Sequence, residues 1–295
     1  MSFYRAQTKR ILTSLRACVL IAAILLLSPN TFVLAADLPS FDELPDWSGT
    51  WSRRGGTVFD RATWTLDGVL TDPSEPGAGV SDVGTRAHPP YNAEWEAIYR
   101  EHLALRDQGM FPDPLTRCIA HGFPRIFNVL APVEFVVRPE QTWVLAEHTR
   151  ATMRIYTDGR SHPPPEQRWH TFFGDSVGRW EGGKLIFTTV ALKGWRDRDS
   201  VLDRSGLVLS DQAHATTIMQ RVQETAGGVT EDLIRVTITL EDPVALTEPW
   251  VVEKRFYKDP PGTSIFDYEC NEYNRAIVDE QGRSLILDQD GRVIQ

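Results

Sequence analysis

The chain has 295 residues, 41% of them hydrophobic and 24% charged, and its 40 acidic against 31 basic residues give a formal charge of −9. A surface of that sign repels phosphate backbones and anionic lipid headgroups, because both are held through Lys and Arg. Nucleic acid is therefore excluded as an expected partner.

The first 36 residues set the compartment. Arg5, Lys9, Arg10 and Arg16 precede the first acid, Asp37, and Ala17 to Leu27 is an uncharged apolar run of 11 residues. Pro29 and Asn30 break that run, and Val33-Leu34-Ala35-Ala36 offers small residues for cleavage. Basic, then apolar, then small describes a removable secretory signal. A membrane anchor is the competing reading, but the run falls short of the ~20 residues that span a bilayer. Leu15-Arg16-Ala17-Cys18 faintly resembles a lipoprotein site, yet it precedes the apolar run. Residues 1–36 are thus expected to be a signal peptide and 37–295 a single β-barrel domain, periplasmic or secreted, without stable membrane insertion. Loss of four basic residues leaves 27 against 40 acidic, a charge of −13. The remaining length can bury a sizeable core, as one large β domain or two small ones.

A short lead over Asp37–Pro45 is followed by Trp47-Ser48-Gly49-Thr50-Trp51, which alternates aromatic and small residues like a first barrel strand. Thr71 to Pro90 is rich in Gly, Pro, Asp and Ser and reads as loop. One helix is predicted from about Ala93 to Asp107, capped by Asn92 and ended by Gly109, with Trp95, Ile98, Tyr99 and His102 on one stripe. Strand follows strand after Glu134: Glu134–Val137, Thr142–His148, Thr152–Tyr156, Val177–Trp180, Leu185–Val190, Thr216–Glu224, Leu233–Leu240, Trp250–Tyr257 and Ser264–Cys270. Glu181-Gly182-Gly183-Lys184 is a hairpin turn, because two glycines tolerate positive φ. Gly227-Gly228 turns a second pair, in which Ile234, Val236, Ile238 and Leu240 share one face. Residues after Asn274 read as polar and loosely held. The fold class is mainly β, an antiparallel meander closing into a lipocalin-like barrel with one packed α-helix.

Cys18 leaves with the signal. Cys118 and Cys270 remain, and two cysteines in an oxidising compartment most simply pair. The bridge would close a loop of about 150 residues, worth ~5 kcal/mol at most in the chain-entropy model. Two free thiols, or a metal site of Cys118 and His121, are the alternatives; the latter lacks a second Cys/His pair.

No nucleophile elbow, phosphate loop, dinucleotide fingerprint or zinc helix is present, so no cofactor is expected. Acid–base chemistry needs only a few positioned groups. One cluster holds Glu134, Glu147, His148, Arg154, Tyr156, Asp158, Arg160 and His162 over three strands, where same-face neighbours meet. Solvated ion pairs are the plainer reading of it. A second cluster is His170, Asp175, Arg179 and Glu181, and His214 and Arg221 could project into the same interior. A third is Asp267 and Glu269 beside Cys270. Trp143 and Trp180 are the tryptophans expected to face a cavity, since aromatic walls suit flat or apolar ligands.

With these residues set out, the chain resembles a family of exported, lipocalin-like β-rich proteins of Gram-negative bacteria. The matching pieces are Asp46 to Trp51, Arg117-Cys118 through Gly122-Phe123-Pro124-Arg125, Arg154-Ile155-Tyr156-Thr157-Asp158-Gly159-Arg160 with His162-Pro163, and Ser176-Val177-Gly178-Arg179-Trp180-Glu181-Gly182. His214, Glu241-Asp242-Pro243 and Tyr268 to Asn274 continue them, so they span nearly all the mature chain. The resemblance implies a shared β fold and a Cys118–Cys270 disulfide, and it carries no activity. Where the family pattern often has an acid three positions after the histidine matching His214, this chain has Thr217; chemistry that depends on that acid does not carry over.

Two functions are expected from these features. The first is a binding protein holding a small, partly apolar or aromatic molecule inside the barrel, with Trp143, Trp180, Glu134, Arg179 and Glu269 touching it. The alternative is a cofactor-independent acid–base enzyme, a lyase, isomerase or hydrolase, using Glu147, Arg154, Tyr156, Asp158, His162 and His214.

Overall fold

The computed structural model describes residues 38–54, 59–61, 88–108, 110, 113–129, 131–148, 151–195, 200–202, 206–226, 228–270, 275–281 and 283–294. The expected signal segment, most of the loop expected over Thr71–Pro90, Gly109, Gly227, Asn271 and Asn274 lie outside them.

The strands are β1 (Thr50–Arg53), β2 (Asp60–Arg61), β3 (Val133–Val137), β4 (Gln141–Ala146), β5 (Ala151–Tyr156), β6 (Asp175–Glu181) and β7 (Lys184–Val190). They continue with β8 (His214–Ala226), β9 (Val229–Glu241), β10 (Trp250–Lys258), β11 (Ala276–Val278) and β12 (Ser284–Ile286). Neighbours run β1-β3-β4-β5-β6-β7-β8-β9-β10, and β10 returns to β1 through Trp51↔Lys258 to Arg53↔Phe256, closing a nine-stranded barrel. The expected barrel is therefore present.

One junction departs from the meander. β5 and β6 run parallel and share a single bridge, Tyr156↔Val177, so residues 157–174 must cross over between them. Ser264–Cys270, expected as a strand, makes no ladder. β10 already pairs with β9 on one side and with β1 and β2 on the other, so closure leaves that segment no edge to join. The tail expected to be loose instead folds as the β11–β12 hairpin.

Period-two patterning explains the wall. On β9 the expected face Ile234, Val236, Ile238 and Leu240 is fully buried, while Arg235, Thr237 and Thr239 between them are not. The turn after β6 holds Gly182 at φ +53° and Gly183 at +78°, the left-handed conformations a two-residue hairpin needs. The inward side chains meet across the barrel. A 3₁₀ turn, Arg125–Asn128, is buried throughout, and Phe127 meets Phe256 of β10 at 6.2 Å between ring centroids. Phe123, just before that turn, meets Phe187 of β7 at 6.3 Å. Burial of one such phenylalanine is worth roughly 1.5–3 kcal/mol.

The helix α1 (Ala93–Asp107) has the expected bounds, and the Asn92 side chain accepts from the backbone N–H groups of Glu94 and Trp95, both at 3.1 Å. It buries Trp95, Tyr99, His102 and Leu103, and the His102 ring bonds the Gly206 carbonyl at 2.7 Å. No helix among the described residues is long and apolar enough to cross a membrane.

Cys118 and Cys270 are joined, with Cα atoms 5.5 Å apart. The bond removes both alternatives, free thiols and a Cys118/His121 metal site. His121 instead meets His148, ring nitrogens 2.9 Å apart, and His148 stacks on Tyr268 at 5.0 Å. Burial is the main force pushing His121 down to about 2, helped by His148 and Arg125. Burial also lowers His148.

Candidate functional site

Register assembles a site on the outside of the wall. Trp143 pairs with Arg154, and Gln141 with Tyr156, so Arg154 and Tyr156 share the outward face of β5. The parallel bridge sets Tyr156 beside Val177, which by alternation sets Arg154 beside Asp175. Across β6, Val177 pairs with Thr188 of β7. Trp143, Arg154 and Asp175 thus form one row, and Tyr156, Val177 and Thr188 the next.

The crossover 157–174 returns over this face. Its start is pinned by Thr157, whose N–H donates to Glu140 and whose hydroxyl donates to the Pro139 carbonyl at 2.6 Å. Its end must be glycine: Gly174 sits at φ +65°, and an added Cβ would lie 2.4 Å from the Val190 carbonyl oxygen. In between, His162 reaches the wall. Its Nδ1 lies 2.5 Å from Asp175 Oδ1 and its Nε2 lies 2.7 Å from Thr188 Oγ1. A carboxylate only accepts, so Nδ1 carries a proton, and in the neutral ring Nε2 then accepts from the threonine hydroxyl.

Beside this chain of bonds is a cleft of about 400 Å³ lined by Thr152, Arg154, Tyr156, Phe173, Gly174, Asp175 and Ser176. Arg154 Nη1 makes one long bond, 3.4 Å, to the Tyr156 hydroxyl, and no carboxylate among the described residues pairs with it. Arg160, in contrast, is spent: it grips Asp158 with bonds of 2.6 to 3.0 Å and lies over the Tyr156 ring at 3.7 Å. That hydrogen bonding holds the Asp158 carboxyl below its ordinary range.

The expected catalytic set divides. Arg154, Tyr156, Asp158 and His162 lie at the crossover end of β4 and β5. Glu147 lies past the other end of β4, where its carboxylate accepts from the Phe266 N–H at 2.7 Å, so strand length separates it from His162. His214 opens β8 and faces Glu241 at 3.4 Å, both about half exposed.

The expected ligand contacts divide too. Trp143 flanks Arg154. Trp180 points inward and meets Trp47 at 5.3 Å, so it belongs to the core. Glu134 lines a separate cleft of about 510 Å³, together with the Phe41–Gly49 lead. Arg179 pairs with Glu181 on the exposed turn, and Glu269 is half-buried in the loop just before Cys270. Asp175 stood in a different expected cluster from His162, and Thr188 in none. Alternation along Leu185–Val190 does turn Thr188 outward, but only the crossover shows which histidine meets it. Among the described residues no three His, Cys, Asp or Glu side chains converge as a metal site.

Comparison with family models, with curated proteins and with solved structures returns no match to this chain.

Proposed function

We propose that the chain is an exported protein that binds a small carboxylate-bearing molecule, with an apolar or aromatic body, in the cleft between β5 and β6. The observation that carries this reading is Arg154, a cation without a carboxylate partner among the described residues, in a cleft walled by Tyr156 and Phe173 and flanked by Trp143. A guanidinium presents paired N–H donors that match a carboxylate, and aromatic side chains in the lining suit a flat or apolar body. The ligand is placed outside the wall because the inward positions hold buried side chains in mutual contact. Export is supported by the disulfide, which persists in an oxidising compartment, and by the signal-like order of residues 1–36. The resemblance to exported lipocalin-like proteins belongs to the same proposal.

Calorimetric titration with benzoate and phenylacetate tests it. Binding to the wild type is expected, with about 10-fold or greater weakening in Arg154→Gln, as befits loss of a charge-assisted bond. Lack of binding by every aromatic carboxylate tried, or equal affinity in Arg154→Gln, defeats the proposal.

The second reading, catalysis, is favoured by the Asp175–His162–Thr188 chain of bonds.

A further inference from the structure

We propose that Asp175, His162 and Thr188 form a nucleophile relay and that the chain hydrolyses esters of small aromatic or apolar carboxylic acids; this rests on the cleft reading above. A carboxylate on Nδ1 fixes the imidazole tautomer, and a hydroxyl on Nε2 is then poised to lose its proton to the ring. Thr188 is exposed on the wall, so its oxygen is open to a substrate from solvent. The donors of the same face, the Arg154 guanidinium and the Tyr156 hydroxyl, are those assigned above to a carboxylate. In the reaction they would meet the oxygen of the acyl group as charge develops on it. The same bonds pin the crossover to the sheet, but a pin alone does not call for an exposed hydroxyl on the same face as a cleft whose arginine has no carboxylate partner among the described residues.

The steps balance without an added reagent. The Thr188 oxygen bonds to the acyl carbon while its proton passes to His162 Nε2, and the carbonyl π pair moves to oxygen. Return of that pair breaks the bond to the alkoxy group, which leaves with the proton from Nε2. Water then attacks the acyl-threonine, giving its proton to Nε2. Collapse returns that proton to the Thr188 oxygen and releases the carboxylic acid, the ligand class proposed for the cleft.

The experiment uses the full mature chain with p-nitrophenyl benzoate and p-nitrophenyl acetate. It follows p-nitrophenolate release, and peptide mass after acid quench reads acylation of Thr188. Turnover is expected in the wild type, with an acyl mass on the Thr188 peptide. Thr188→Val and His162→Gln should lower turnover at least ~100-fold. Thr188→Ser should restore turnover well above that of Thr188→Val and carry the acyl mass on the same peptide, because it puts back a hydroxyl. Should His162→Gln fail to fold, Thr188→Val and Thr188→Ser decide alone, since they alter one methyl or hydroxyl at an exposed strand position. No turnover in the wild type, or turnover unchanged in Thr188→Val, overturns the inference. Carboxylate binding without ester turnover overturns the hydrolase and leaves the binding reading intact; loss of both overturns both.

Discussion

His121 should make the fold acid-sensitive. It is 5% exposed, and burial holds its pKa at about 2, so it stays neutral in the folded chain across the whole mild-acid range. In the unfolded chain it titrates near 6.5, the ordinary value of a histidine. Between those two values the unfolded state carries one proton more, and stability falls as pH falls, by ~1.4 kcal/mol per pH unit. The contribution is complete above about pH 6.5, and some 2 kcal/mol of it is gone by pH 5. His148 is shifted the same way, so it adds to the loss. Replacing His121 by glutamine removes one titrating group while keeping a side chain able to bond His148. Urea unfolding at pH 7 and pH 5, for wild type and His121→Gln, measures the difference. Wild type should lose about 2 kcal/mol more than the variant over that interval. Equal losses would refute the argument, because they would mean that His121 takes up its proton in the folded state as easily as in the unfolded one.

Thr217, inward on β8 between Phe187 and Ile238, is fully buried, and its hydroxyl has no partner among the described residues. Thr217→Val should therefore raise stability by about 1 kcal/mol, seen as a melting temperature higher by about 2–4 °C; a fall would show that the hydroxyl is satisfied. The Cys118–Cys270 bond spans 152 residues, so reduction, or a double serine substitution, should cost up to ~5 kcal/mol, read as a lower denaturant midpoint. Identical midpoints with and without reductant would contradict a structural role.

What could be read from the residues was what depends on near neighbours. Asn92 capping α1, the glycine turn at 182–183 and the apolar face from Ile234 to Leu240 are written within a few positions, and each appears where expected. The parallel β5–β6 bridge is not local. It follows from how far residues 157–174 travel before rejoining the sheet, and no period in that segment encodes the distance. The site inherits this limit. Arg154, Tyr156 and His162 stood together as one cluster because they are close in sequence. Asp175 and Thr188 join them only once the crossover is in place. Glu147 was drawn in by proximity along the chain and is separated by the length of β4. The arrangement inside the barrel was equally hidden, because Phe123 and Phe127 come from a segment with neither strand nor helix period.

The lone bridge between β5 and β6 makes that line the clasp of the hoop. Elsewhere neighbouring strands share two or more paired residues, whereas here Tyr156↔Val177 is the one pair, and His162 ties the crossover to β6 and β7. A molecule lodged at Arg154 and Asp175 would touch both sides of the clasp at once. Occupancy and the integrity of the ring would then be one equilibrium, in which whatever opens the seam also releases the guest.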